Sequence, residues 1–198
     1  MGNTESSSHH DAHVIPVKGA DPPLAFELDE GTALKQLLDG TPPAYRDTIA
    51  HLPKQQLIDS HRHHLMAIYQ LKRHQILAAS QNEYKAIERL KALLPNDKRH
   101  YLFMEMYCVL SECLLKLDQI SDALIASQNA VELLLEYTPT DFEELSIVYN
   151  RLGQCHKAKH AWDDAIHCLT QAIENLRQCK NPNENSISSV QADLDLIK

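Results

Sequence analysis

Four prolines divide the chain at a nearly constant interval. Pro53, Pro95, Pro139 and Pro182 stand 42, 44 and 43 residues apart, and each follows a stretch with apolar residues at helical spacing. A proline cannot continue a helix, because it lacks an N–H and its ring collides with the preceding turn. The interval holds two helices of ordinary length and a short turn. A period of this size is the signature of a stacked repeat. The expected unit is a helix hairpin, repeated three times over residues 54–182.

From residue 30 onward the pattern is helical, with little β-branched clustering and no hairpin dipeptide between alternating runs. Residues 31–39 read as a short amphipathic helix carrying Ala33, Leu34, Leu37 and Leu38, with Gly40 as its C-cap. Thr41 is placed to cap a second short helix over 43–52, with Pro42 and Pro43 at its start. A single long helix is predicted over 54–79, with Leu57, Ile58, Leu65, Ile68, Leu71 and Ile76 on its apolar side. Further helices are predicted over 82–94, 97–117, 119–137, 141–158, 161–178 and 187–196. Asp141, with Glu144 three residues on, marks the start of one of them. The fold class is therefore all-α, built of antiparallel helix-hairpin repeats. Residues 1–29 form a disordered N-terminal tail, rich in Ser, His, Asp and Pro without an apolar period. Residues 30–53 and 183–198 supply capping helices at the two ends of the repeats.

The third unit is the most legible. Tyr149, Leu152, Gly153 and His156 lie on its first helix, and Ala165, Leu169 and Ala172 on its second. Small residues at Gly153 and Ala165 allow two helices to cross closely, while larger ones fill the gaps between units. Tyr107, Leu110, Ser111 and Leu114, with Ala123 and Ala130, repeat the pattern 42 residues earlier. In the first unit only the second helix carries it, through Tyr84, Ala86, Leu90 and Leu93. The pattern resembles the tetratricopeptide repeat, an α-solenoid. Its interval resembles the longer repeats of kinesin light chains and G-protein-signalling modulators, as does the run YNRLGQ at Tyr149–Gln154. Trp162 fits the aromatic that the family places in the inter-helix turn.

The resemblance implies a concave face lined by the first helix of each unit, which takes an extended peptide or a partner helix. The groove positions it implies are Glu105, Cys108, Glu112 and Leu115 in the second unit, and Ile147, Asn150, Gln154 and Lys157 in the third. Glu105 and Glu112 stand two turns apart on one helix face. With no evident Lys or Arg beside them, they favour a protein partner bearing Lys or Arg and disfavour the free-carboxylate clamp of the co-chaperone subclass. Asn150 and Gln154 would hydrogen-bond the partner's backbone.

The net charge of −8, from 19 Lys+Arg against 27 Asp+Glu, argues against nucleic acid as partner. Five cysteines without a C-x-x-C sit in helical patterns like small hydrophobes, which points to a reducing, cytoplasmic setting. No cofactor and no metal are expected. The twelve histidines include His61, His63 and His64, the pair His156 and His160, and the tail group His9, His10, Asp11 and His13, but none completes a ligand set in sequence. A phosphate loop, a nucleophile elbow and a zincin motif are all absent, so the chain reads as not an enzyme. Met1-Gly2-Asn3-Thr4-Glu5-Ser6 fits the N-myristoylation pattern at Gly2. One myristoyl chain gives weak, reversible membrane binding.

The expected function is a non-catalytic protein–protein interaction adaptor or scaffold, tethered to a membrane through Gly2. The alternatives are a chaperone-like subunit shielding a client segment and, behind it, a histidine-based metal protein. Client shielding would require a more apolar groove than an adaptor needs.

Overall fold

The computed structural model describes residues 29–41, Arg46, Ile49, 51–95 and 100–197. The N-terminal tail apart from Asp29, including Gly2, and most of the predicted helix 43–52 lie outside the described residues. Among the described residues every regular element is a helix: α1 (Glu30–Gly40), α2 (Lys54–Lys72), α3 (Ile76–Leu93), α4 (Phe103–Lys116), α5 (Ile120–Tyr137), α6 (Phe142–Ala158), α7 (Trp162–Gln178) and α8 (Glu184–Asp195). Helices α2 and α3, α4 and α5, and α6 and α7 pack as three hairpins, each stacked on the next.

All three hairpins close through one turn. His74, Asp118 and His160 have φ of 60°, 59° and 58°. In each turn the following N–H reaches back five residues, from Gln75 to Gln70, Gln119 to Leu114 and Ala161 to His156, at 2.9–3.0 Å. The left-handed residue itself donates three residues back, to Leu71, Leu115 and Lys157. This is the Schellman end of a helix, normally built on glycine. Here His and Asp hold the left-handed position, which these residue types tolerate better than most.

The turn corrects the reading of the first unit. The single helix predicted over 54–79 is two helices, broken at Arg73–Gln75, and α3 begins at Ile76 instead of residue 82. Measured from the turns, the units repeat at 44 and 42 residues. Ala79, Ala123 and Ala165 then fall in register, as do Ala86, Ala130 and Ala172, and all six are fully buried. Tyr84 falls in register with Gln128 and Thr170, not with an aromatic of the other units, and stands 41% exposed. On the first helix of this unit the small residue is Ala67, in register with Ser111 and Gly153, all three buried.

In the third hairpin the small residue faces Leu169 on the second helix. A Cβ on Gly153 would lie 2.9 Å from Leu169 Cδ2 and Cγ. The positions in register with Leu169 hold Ser127 and Glu83, both fully buried. The corresponding positions Gly153 and Leu169, Ser111 and Ser127, and Ala67 and Glu83 thus carry different chemistry in the three hairpins.

Three apolar clusters run along the array. The first joins α1 and the first two hairpins around Leu57, Leu90, Phe103 and Leu114. The second sits between the second and third hairpins, around Leu134, Leu145 and Val148. The third seats Val190 and Leu194 of α8 on Ile173 and Leu176 of α7. Helix α8 starts at Glu184, capped by Asn183, whose Oδ1 accepts from Asn185 and Ser186 N–H groups, three residues before its predicted start. Ile187, Val190 and Leu194 stand 42 residues after Leu145, Val148 and Leu152, so α8 takes the place of a fourth unit's first helix. Its positions matching Ser146, Tyr149 and Gly153 are Ser188, Gln191 and Asp195, a polar outer face suited to an end helix.

At the other end Asp29 caps α1, its carboxylate accepting from Thr32 N–H at 3.0 Å and from the Thr32 hydroxyl at 2.6 Å. Thr41 is buried and its hydroxyl donates to the Leu37 carbonyl at 2.7 Å and meets the Tyr101 hydroxyl. The helix predicted from 97 begins at Phe103. Asp141 caps α6 as expected, accepting from Glu144 N–H at 3.2 Å.

Two substitutions test this geometry. Gly153→Leu forces bulk into the α6–α7 crossing and should destabilise the fold by roughly 1–3 kcal/mol in urea denaturation. Asp118→Gly removes the Cβ penalty of the left-handed position and should raise stability by about 1 kcal/mol. A loss of stability there would mean that the turn does not hold its conformation in solution.

Candidate functional site: the concave face

The first helices α2, α4 and α6 approach one another more closely than the second helices do, which puts them on the inner face of the array. Counted back from the turns, four positions of each first helix share that face: His61, His64, Ile68 and Leu71 on α2; Glu105, Cys108, Glu112 and Leu115 on α4; Ile147, Asn150, Gln154 and Lys157 on α6. The three rows differ sharply in what their side chains do.

Toward the turns, a hollow of about 450 Å³ opens between α2, α4 and α6. Ile68, Leu71 and Val109 give it apolar walls, and Lys72, Glu112 and Arg151 are among its polar lining. Arg151 organises this region. One guanidinium nitrogen donates to the Cys108 carbonyl at 3.0 Å and the other to Glu112 Oε2 at 2.5 Å. Lys116 adds a contact to Glu112 Oε1 at 2.9 Å. The expectation that Glu112 has no neutralising base on its face is therefore overturned. Its partner is Arg151, 39 residues away in the chain and one unit along. Glu144 lies beside Arg151, and burial raises its carboxyl above the usual range against the pull of that guanidinium.

Cys108 is buried, its thiol pushed well up by burial and by the neighbouring Glu144. It nevertheless borders the hollow between the hairpins. Leu115 is half-buried. Gln154 and Lys157 point at α8: the amide donates to Asp193 Oδ2 at 2.7 Å and the ammonium to Asp193 Oδ1 at 2.8 Å. Ile147 and Asn150 line a separate hollow of about 410 Å³, shared with residues near the start of α8 such as Asn183 and Ser186. Glu105, Cys108 and Glu112 line the seam between the hairpins, Ile147 and Asn150 line the hollow beside α8, and Gln154 and Lys157 are bonded to Asp193.

The α2 row, absent from the expected groove, holds the most unusual chemistry. His64 is 3% exposed, and its Nδ1 lies 2.9 Å from Glu83 Oε1 on α3, a side chain with no exposure at all. Its Nε2 lies 3.5 Å from Glu105 Oε2 on α4. Three helices therefore meet through one imidazole between two carboxylates. Burial disfavours the charged ring, but Glu83 and Glu105 together outweigh it and raise His64 to about 10. Burial raises the Glu83 carboxyl, while the His64 imidazolium beside it holds Glu105 below its usual range. His61, one turn earlier with its ring 6.3 Å from His64, is pushed down to about 4 by burial and by the neighbouring imidazolium.

The remaining histidines are dispersed. His63 meets the Asn82 side-chain oxygen at 3.0 Å. His156 lies 3.7 Å from Asp164, and His160 sits in the turn, edge-on to Trp162. Among the described residues no three His, Cys, Asp or Glu side chains are grouped to hold a metal ion. No described helix is long and apolar enough to cross a membrane. No family model matches the sequence, and no curated protein matches it.

The ion pair yields a stability test. Leaving a buried carboxylate without its partner costs about 3–5 kcal/mol, so His64→Leu should lose that much. Adding Glu83→Gln should recover at least half, because an amide carries no charge. A group raised in the folded state stabilises fully below its ordinary value of 6.5 and loses that contribution as pH rises through about 10. The stability gap between wild type and the double variant should close over that interval. A gap that stays constant to high pH would show that His64 is not held protonated.

Proposed function

We propose that the chain is a non-catalytic protein–protein interaction adaptor of tetratricopeptide-repeat type, whose concave face holds a segment of a partner protein. The supporting observation is the seam between α2 and α4, where two hollows of about 280 and 450 Å³ follow one another along the inner face. Ile68, Leu71 and Val109 offer apolar contact, and charged groups of both signs surround it. A groove of this make-up suits a peptide or helix with mixed apolar and charged side chains. Glu105, three-quarters exposed, is the carboxylate best placed to meet a Lys or Arg of that partner.

The tail extends the reading to location. Gly2 is the acceptor for a myristoyl group in a eukaryotic cell, giving a cytoplasmic protein a weak and reversible hold on membranes.

A photo-crosslinking residue in place of Leu71 on the concave face, and of Leu77 on the opposite face, separates the surfaces in the native cell. The expected outcome is one specific adduct from Leu71, reduced at least fivefold by Glu105→Lys, and none from Leu77. Adducts from Leu77 alone would remove the groove from the reading. Intact mass of the native protein, compared with Gly2→Ala, reads the lipid separately.

A further inference from the structure

Beside Glu105 the inner face opens into a pocket of about 280 Å³. Leu37, Leu65, Tyr101, Leu102, Met104 and Met106 give it a largely apolar lining. The polar groups added by α2 and α4 are His61, His64 and Glu105. His61 Nε2 is buried with no hydrogen-bond partner among the described residues, and the ring is held neutral, so in its Nδ1–H tautomer this nitrogen accepts. Glu105 presents Oε1 while its Oε2 leans on His64. Around the single imidazolium of His64 stand two carboxylates, Glu83 and Glu105. Glu105 is the exposed end of this cluster and the carboxylate an incoming cation meets first. On the Tyr101 side Arg46 gives its Nε–H to the Thr41 carbonyl at 3.0 Å.

Such a pocket asks for a long apolar stem ending in a group that only donates. We propose that it receives a lysine side chain of the protein partner, with the methylene stem among the methionines and Tyr101 and the ammonium between Glu105 and His61. Lysine stems pack on apolar surface while the ammonium offers three donors and no acceptor. An arginine fork is a poorer match, since bidentate pairing needs both carboxylate oxygens and one of them is turned to His64. The assignment rests on the groove reading above and names the partner chemistry of its α1-proximal end.

The test uses the full chain with isotope-labelled methionine methyl groups. The probes are Nα-acetyl-lysine methylamide, its Nζ-acetylated form and n-pentylamine. Met104 and Met106 resonances should shift saturably with the lysine probe, and Met66, outside the pocket, should not. The Nζ-acetylated probe should leave all three unmoved, and Glu105→Gln should weaken the lysine probe at least fivefold. A silent Met104–Met106 pair, or an equal response to the acetylated probe, overturns the assignment without any need for a variant. Pentylamine binding more than tenfold tighter than the lysine probe also overturns it, in favour of a free amine. Adducts from Leu71 together with a silent pocket would sink only the lysine assignment. A responsive pocket with adducts from Leu77 alone would sink the groove reading and the pocket's part in partner binding.

Discussion

Two helices can lie against each other at close range only where one of them gives up side-chain volume, and that constraint organises the whole array. Gly153 on the first helix of the third hairpin faces Leu169 on the second, and Ala67 with Glu83 and Ser111 with Ser127 hold the corresponding buried positions, each second-helix residue flanked in sequence by two fully buried alanines. The turn must then return the chain within three residues, which the left-handed conformation at His74, Asp118 and His160 achieves. Once the hairpins have this common shape, their outer apolar rows stack, and the core becomes a series of clusters between neighbours.

Stacking alone would not say which unit follows which. Val109 and Arg151, each nine residues before its turn, and Asp193, 42 residues after Arg151, lean back on the preceding unit, and the chemistry of this position changes along the array. Val109 lies with Ile68 at one hollow, Arg151 binds Glu112 and the Cys108 carbonyl, and Asp193 binds Gln154 and Lys157. The contacts are apolar, then cationic on anionic, then anionic on cationic. A unit moved to another place would meet the wrong partner, so these contacts specify order more than they add stability.

The first hairpin departs from the pattern where it is most polar. It has Ala67 and Glu83 where the third hairpin has Gly153 and Leu169. The carboxylate there is compatible because His64 answers it, and Glu105 completes the arrangement from the next unit. The buried ion pair thereby ties the interior of the first hairpin to the face proposed to meet a partner.

Sequence alone determined the fold class, since periodic apolar positions and proline spacing depend only on local geometry. It also settled which of Glu105, Cys108, Glu112 and Leu115 share a helix face, because that follows from 3.6 residues per turn. The break at Arg73–Gln75 carries a weaker trace: no glycine marks it, and only the shared spacing from His74, Asp118 and His160 to the buried alanines reveals it. What those face residues do was decided by tertiary structure. Glu112 is neutralised by Arg151, and Gln154 and Lys157 are drawn to Asp193, because stacking brings together groups 36–39 residues apart. His64 and Glu83 are ordinary surface residue types in sequence, and only the crossing of α2 with α3 buries them as a pair. Helical periodicity says which way a side chain points along its own axis, but not which neighbour will be waiting there.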